Sequence, residues 1–171
     1  SYSGHGSFVY DRNGEEKDGR DEVLIPSDYT TEGFIKDDVI GEILGRLNQQ
    51  VRGVLLIDAC HSGSMCDLPH RYIGGIKTVI ENSNHHNIQA QILSLSGCRD
   101  NQTSMDVFDF WGKEDIKEEY TGAMTSCFLR GMDVLQKSDI PITCFNLLKA
   151  IHKLLRAKRL KQRPQISTTF K

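Results

Sequence analysis

Apolar positions in this chain follow two periodicities. Continuous apolar runs alternate with stripes spaced at three and four residues. Val51 to Ile57, with Val54-Leu55-Leu56-Ile57 inside it, is a run of the kind found in strands buried on both faces. Ala90 to Leu95 is a second and ends at Ser96-Gly97-Cys98. Ser7-Phe8-Val9-Tyr10, Glu22-Val23-Leu24-Ile25-Pro26 and Pro164-Gln165-Ile166-Ser167-Thr168 read as shorter extended segments. Val39, Ile40, Ile43, Leu44 and Leu47 form one helical stripe, starting at Asp37-Asp38. Met124, Phe128, Met132 and Leu135 form another, with Thr121 as its expected cap. Phe145, Leu148, Ile151, Leu154 and Leu155 form a third, with Thr143 as its expected cap. Buried strands alternating with amphipathic helices predict an α/β fold, a mainly parallel sheet with helices on both faces. Such sheets bind ligands beyond the carboxyl ends of their strands. Cys60 and Ser96-Gly97-Cys98 both fall at such ends.

Polar segments interrupt this alternation twice. Residues 71–87 are rich in Gly, Asn, Ser and His. Residues 106–119 carry Asp106, Asp109, Glu114, Asp115, Glu118 and Glu119 around Trp111 and two lysines. Both read as loop insertions in one domain that covers residues 1–171, a length sufficient for a substantial core. Apolar content of 38% and charge of 26% fit a soluble globular chain. No run approaches the ~20 apolar residues of a membrane span. The five cysteines, Cys60, Cys66, Cys98, Cys127 and Cys144, show no paired spacing. That favours a reducing, cytoplasmic setting over a disulfide framework. Eight Lys/Arg lie from Lys149 to Lys171, with no acid after Asp139. They suit a solvated helix face and helix C-terminus. Without interleaved aromatics they do not make a nucleic-acid surface.

Chemistry concentrates in two motifs. Ser1-Tyr2-Ser3-Gly4-His5-Gly6 presents a histidine between small residues. Leu55-Leu56-Ile57-Asp58-Ala59-Cys60-His61-Ser62-Gly63 ends a strand in a cysteine, fifty-five residues after His5. A thiol with a pKa near ~8.5 is a weak nucleophile at neutral pH, and a nearby imidazole activates it and protonates the leaving amine. His5 and Cys60 fit those roles. The alternative is a buried strand-end cysteine and an ordinary loop histidine. His61 is a rival base, but neighbours on an extended chain point to opposite sides. Alternation places Asp58 on the side of Cys60, where a carboxylate selects Lys or Arg in a substrate. Its alternative is a solvated strand-end carboxylate.

The two motifs and their spacing resemble those of the metacaspases. The likeness continues through Ser94-Leu95-Ser96-Gly97-Cys98-Arg99-Asp100-Asn101-Gln102-Thr103-Ser104, Tyr120-Thr121-Gly122-Ala123-Met124-Thr125 and Gln162-Arg163-Pro164-Gln165-Ile166-Ser167. The resemblance implies a caspase-like three-layer sandwich from which the first strand and helix are missing. It implies a calcium-dependent cysteine endopeptidase that cleaves protein or peptide substrates after Lys or Arg. Cys60 would be the nucleophile and His5 the general acid and base. The backbone N–H groups of Gly6 and Cys60 would form the oxyanion hole, and Ser3 and Asp58 would line the pocket for the basic side chain. Asp21, Asp37, Asp38 and Asp67 correspond to the family's calcium ligands. Carboxylate oxygens suit calcium, although Asp37-Asp38 also suits a helix start and Asp21 a turn.

Other metal patterns are weaker. Residues 11–22 have EF-hand length, but Glu16 stands where that loop needs Gly. Cys60, His61 and Cys66 have no second ligand cluster to complete a zinc site. The acidic insertion carries Lys113 and Lys117, the expected self-cleavage positions, with Arg71 and Lys77 as competitors. A monomer without nucleic-acid or membrane partners is expected. Two rival readings are a non-catalytic calcium-responsive scaffold and a caspase-like peptidase with Arg or Asn specificity.

Overall fold

Tyr2–Ser3 (β1) and His5–Tyr10 (β2) are separated by Gly4 alone, yet they belong to different sheets. The structure is a computed structural model and describes residues 1–11, 19–59, 65–73, 80–81, 86–97, 106–107, 121–160 and 162–170. Cys60, His61, Lys77, Lys113 and Lys117 lie outside the described residues. After β2 come β3 (Arg20–Ile25), α1 (Tyr29–Glu32), β4 (Ile35–Lys36), α2 (Asp37–Gly45) and β5 (Arg52–Asp58). Next are β6 (His70–Ile73), β7 (Ile80–Glu81), β8 (Gln91–Ser96), β9 (Asp106–Val107) and β10 (Thr121–Gly122). The helices α3 (Ala123–Lys137) and α4 (Cys144–Ala157) and the strand β11 (Gln165–Thr168) close the chain.

The main sheet has the order β1-β5-β8-β11-β6-β7. β5 runs parallel to β1 and β8, and β11 is antiparallel to both β8 and β6. β6 therefore runs with β1, β5 and β8, so four of the six strands share one direction and only β11 and β7 oppose it. The mainly parallel sheet expected from the apolar runs is present. A second sheet, β2-β3-β4, is antiparallel throughout. The extended segments at Ser7–Tyr10 and Glu22–Ile25 form its first hairpin.

Three layers follow from how strands alternate. On β8, Ile92 and Leu95 point to opposite faces and enter different cores. Leu95 and Ile166 pack under α3 and α4 with Met124, Leu148 and Ile151. Ile57 and Ile92 pack on the other face with Leu44 of α2 and Leu24 of β3. Each such fully buried aliphatic side chain contributes about 1.5–3 kcal/mol. Helices thus cover both faces, as the stripes predicted.

Several local expectations change. Thr143 does cap α4, accepting a bond from the Asn146 N–H at 3.1 Å. Thr121 does not cap α3: it lies in β10, opposite Val107, and the cap position is Gly122, which has no side chain to offer. The span 71–87, read as a loop insertion, contains most of β6 and all of β7, and β6 is an interior strand paired on both sides. Arg71 is part of β6, so its backbone is engaged in the sheet and it is a poor competitor for self-cleavage. Phe145, Val39 and Ile43 belong to the predicted stripes but are 42%, 47% and 55% exposed.

Candidate active site

β1 and β5 end side by side. Their register pairs Tyr2 with Ile57 and Ser3 with Asp58, and the Gly4 N–H donates to the Asp58 carbonyl at 3.2 Å. The chain then leaves the main sheet and enters β2, so His5 begins the second sheet at the carboxyl end of β5. Cys60 follows Asp58 by two residues. The fold therefore brings the histidine turn to the end of the strand that leads into the cysteine. His5 is exposed.

A residue not singled out from the sequence holds that turn. The Tyr2 hydroxyl donates a shared bond to the carbonyl oxygens of His5, at 2.8 Å, and Ile25, at 2.9 Å. It ties the histidine's own backbone to the end of β3. Burial pushes the Tyr2 phenol above its ordinary value, with the bond to Ile25 pulling the other way. Gly4 leaves room for this contact, because a Cβ there would lie 2.8 Å from the Tyr2 hydroxyl oxygen and displace it. The sequence signal was present, a tyrosine three residues before a carbonyl it can reach, but many tyrosines satisfy it.

Ser3 and Asp58 are register partners on adjacent parallel strands, so their side chains share a face of the sheet. Ser3 is exposed and Asp58 is only 2% exposed. The carboxylate is therefore not the solvated strand end that was its alternative. Its Oδ2 accepts bonds from the Thr125 N–H at 2.8 Å and the Thr125 hydroxyl at 2.9 Å. Asp58 thereby does for α3 what the side-chain-free cap Gly122 cannot, satisfying an amide of the first turn. A carboxylate at a helix N-terminus also gains from the helix dipole. Gly122 lies so close that a Cβ on it would sit 1.9 Å from Asp58 Oδ2. Neither Gly122 nor Thr125 was singled out from the sequence, because this cap comes from a strand sixty-seven residues earlier.

Asp37 and Asp38 start α2, Asp21 lies on β3 against Lys36, and Asp67 precedes β6. Asp21 and Asp37 are each 2% exposed, and Asp67 is 9% exposed. Asp37 Oδ2 accepts from the Glu22 N–H at 3.1 Å, and its Oδ1 accepts from the Asp38 N–H at 2.9 Å. Burial pushes the Asp37 carboxyl up from its ordinary value against those bonds, and the charge of Asp38 adds to the rise. Asp67 takes a left-handed backbone, with φ of 39°, and with Asp37 contributes to the field on buried Cys66. Lys36 meets Asp21 directly, Nζ to Oδ2, at 2.5 Å. That bond, with the charges of Asp21, Asp38 and Asp37, holds the Lys36 ammonium above its ordinary value. The donors are hard oxygens of the kind calcium takes. Among the described residues, however, no three acidic, His or Cys side chains converge on one point as a metal ion requires. Lys36 offsets part of the charge of these carboxylates through Asp21.

Residues 1–69 match the family model "Metacaspase, peptidase C14 domain". Metacaspase-1 of Meyerozyma guilliermondii is 31% identical over 98% of this chain and 50% of its own length. The chain belongs to the metacaspases. A Trypanosoma brucei brucei relative named Inactive metacaspase-4 is 30% identical over 98% of this chain and 48% of its own. The chain thus spans about half the length of these metacaspases. A crystal structure of a Geobacter sulfurreducens protein shares the fold, with a TM-score of 0.56 and 24% identity over 98% of this chain and 63% of that one.

Proposed function

We propose that this metacaspase chain carries the hydrolytic core of a cysteine endopeptidase that cleaves proteins after Lys or Arg. The observation that carries the reading is the junction of β1 and β5, where the Gly4 N–H bonds the Asp58 carbonyl at 3.2 Å beside the His5 turn. Cys60, two residues further on, is the proposed nucleophile. His5 takes its proton, the thiolate attacks the peptide carbonyl, and His5 then protonates the leaving amine. Water releases the acyl group from the sulfur by the same proton route. The backbone N–H groups of Gly6 and Cys60 are proposed to hold the oxyanion. Ser3 and Asp58 are proposed to receive the substrate's basic side chain, Asp58 by charge-assisted bonds. In the full-length protein, Cys60→Ala is expected to abolish cleavage of an Arg-containing peptide, and retained activity would remove the assignment.

Calcium belongs to this proposal as the ligand of Asp21, Asp37, Asp38 and Asp67. Binding there would require the Lys36 ammonium to leave Asp21. Calorimetry on the full-length protein tests it: heat of calcium binding should vanish in Asp37→Ala/Asp38→Ala, and an unchanged isotherm would contradict it. Self-cleavage after Lys113 or Lys117 is proposed on the acidic sequence of that segment. New N-termini at Glu114 or Glu118, absent from Cys60→Ala, would support it. A second reading, a calcium-responsive scaffold without turnover, is favoured by one observation, the relative named inactive at 30% identity. Covalent labelling of Cys60 by an arginyl chloromethylketone separates the two, since a scaffold would stay unlabelled.

A further inference from the structure

We propose that Thr125, on the first turn of α3, is the positioning residue that fixes the selectivity of this site for basic side chains. The inference rests on the reading of Asp58 as the pocket carboxylate. A carboxylate selects between Arg and a neutral side chain of the same shape only if its oxygens stay where the guanidinium will arrive. Aspartate alone does not guarantee this, because its terminal torsion is broad. Here the torsion is set from outside β5. Both donors of Thr125, the backbone N–H at 2.8 Å and the hydroxyl at 2.9 Å, converge on one oxygen, Oδ2. Gly122, the cap of the same helix, also lies against the carboxylate, since even a methyl group there would overlap Oδ2 and Cγ, at 1.9 and 2.2 Å. The group is therefore held against the N-terminus of α3, and it is 2% exposed.

The two donors are chemically separable. The N–H belongs to the helix and survives any substitution at this position except proline. The hydroxyl is the side chain's own contribution, and only Thr or Ser can supply it at this reach. Thr125 bonds Asp58 directly, so its role in the site runs through that carboxylate.

The experiment uses the full-length protein and matched peptides carrying Arg, Lys or citrulline before the cut. Citrulline keeps the shape of Arg without its charge. Thr125→Val removes the hydroxyl at nearly constant volume. It should lower kcat/KM for Arg about tenfold, the scale of one hydrogen bond to a charged group. The loss should appear mainly in KM and should shrink the preference for Arg over citrulline. Thr125→Ser should restore both to within about twofold of the parent. In an Asp58→Asn background, Thr125→Val should add little further loss, because the charge it positions is gone. Thr125→Ala replaces the valine variant if urea denaturation shows the latter unfolded. Parental KM and discrimination in folded Thr125→Val would overturn the inference while leaving Asp58 in place. An Arg preference that survives Asp58→Asn would overturn the underlying reading of the pocket instead, and this inference with it.

Discussion

Gly122→Ala is the sharpest test of the packing at the end of β5. Gly122 has φ −58° and ψ 143°, a conformation alanine adopts freely. Backbone strain therefore gives no reason for glycine here, and any cost must come from the contact. The added methyl would stand 1.9 Å from Asp58 Oδ2 and 2.2 Å from its Cγ, well inside van der Waals contact. The carboxylate cannot swing clear without giving up both bonds from Thr125. Overpacking of this kind costs about 1–3 kcal/mol. Losing the cap on the first turn of α3 costs about 1 kcal/mol more. The expected total is about 2–4 kcal/mol. For a chain of this size that lowers Tm by roughly 5–15 °C.

The assay is urea or thermal unfolding of the full-length protein, followed by circular dichroism. A coupling measurement makes the cause specific. Asp58→Ala alone removes the cap but opens space, so Gly122→Ala should cost little on top of it. A parental Tm for Gly122→Ala, or full additivity of the two substitutions, would refute the placement of the carboxylate against Gly122.

Three further predictions concern the buried thiols and the Tyr2 hydroxyl. Burial pushes the Cys66 thiol from 9.0 up to about 12, and burial together with the Asp58 charge pushes Cys127 up to about 11. Iodoacetamide at pH 8 should therefore leave both unmodified in the folded protein and label both in urea, read by mass spectrometry; labelling of either under native conditions contradicts the burial. Because these folded values lie above the unfolded one, the thiols favour folding fully below pH 9, and that contribution is lost as pH rises from 9 toward 12. Cys66→Ala should flatten the alkaline fall in Tm, and an unchanged slope would count against the assignment. Tyr2→Phe removes the shared bond to the His5 and Ile25 carbonyls, and about 1 kcal/mol of stability should go with it. An unchanged urea midpoint would mean that the hydroxyl does not hold the histidine turn.

Elements that bury continuous apolar surface were legible in the sequence. β5, β8 and the stripes of α3 and α4 carry their own signal, since Leu95, Met124, Leu148 and Ile151 are inside for their own hydrophobicity. β6 was not legible. His70-Arg71-Tyr72-Ile73 has neither an apolar run nor clean alternation, and all four residues are half-buried. Its place in the sheet comes from β11 on one side and β7 on the other. The two-residue strands β1, β4 and β7 are likewise defined by their partners.

The same division runs through the site. His5, Cys60 and Asp58 could be proposed from the sequence because the chemistry proposed for them needs particular residue types at particular places. Tyr2, Gly122, Thr125 and Lys36 could not, because each matters only through a neighbour distant in sequence. Thr125 shows why most clearly. From sequence alone it is a threonine beside a helical stripe whose expected cap is Thr121. In the fold that cap role passes to a strand residue, because Gly122 has no side chain and Asp58 is close enough to replace it. One carboxylate then serves two elements, ending β5 and starting α3. The proposed pocket and the stability of α3 therefore share a group, and charge and capping at residue 58 separate only in a variant such as Asp58→Asn. An amide oxygen still accepts from Thr125 but presents no charge to a substrate. That variant should keep α3 within about 1 kcal/mol of its parental stability while losing the preference for Arg. An Asp58→Asn protein that unfolds would show that the charge itself holds the helix and that specificity and folding are inseparable at this position.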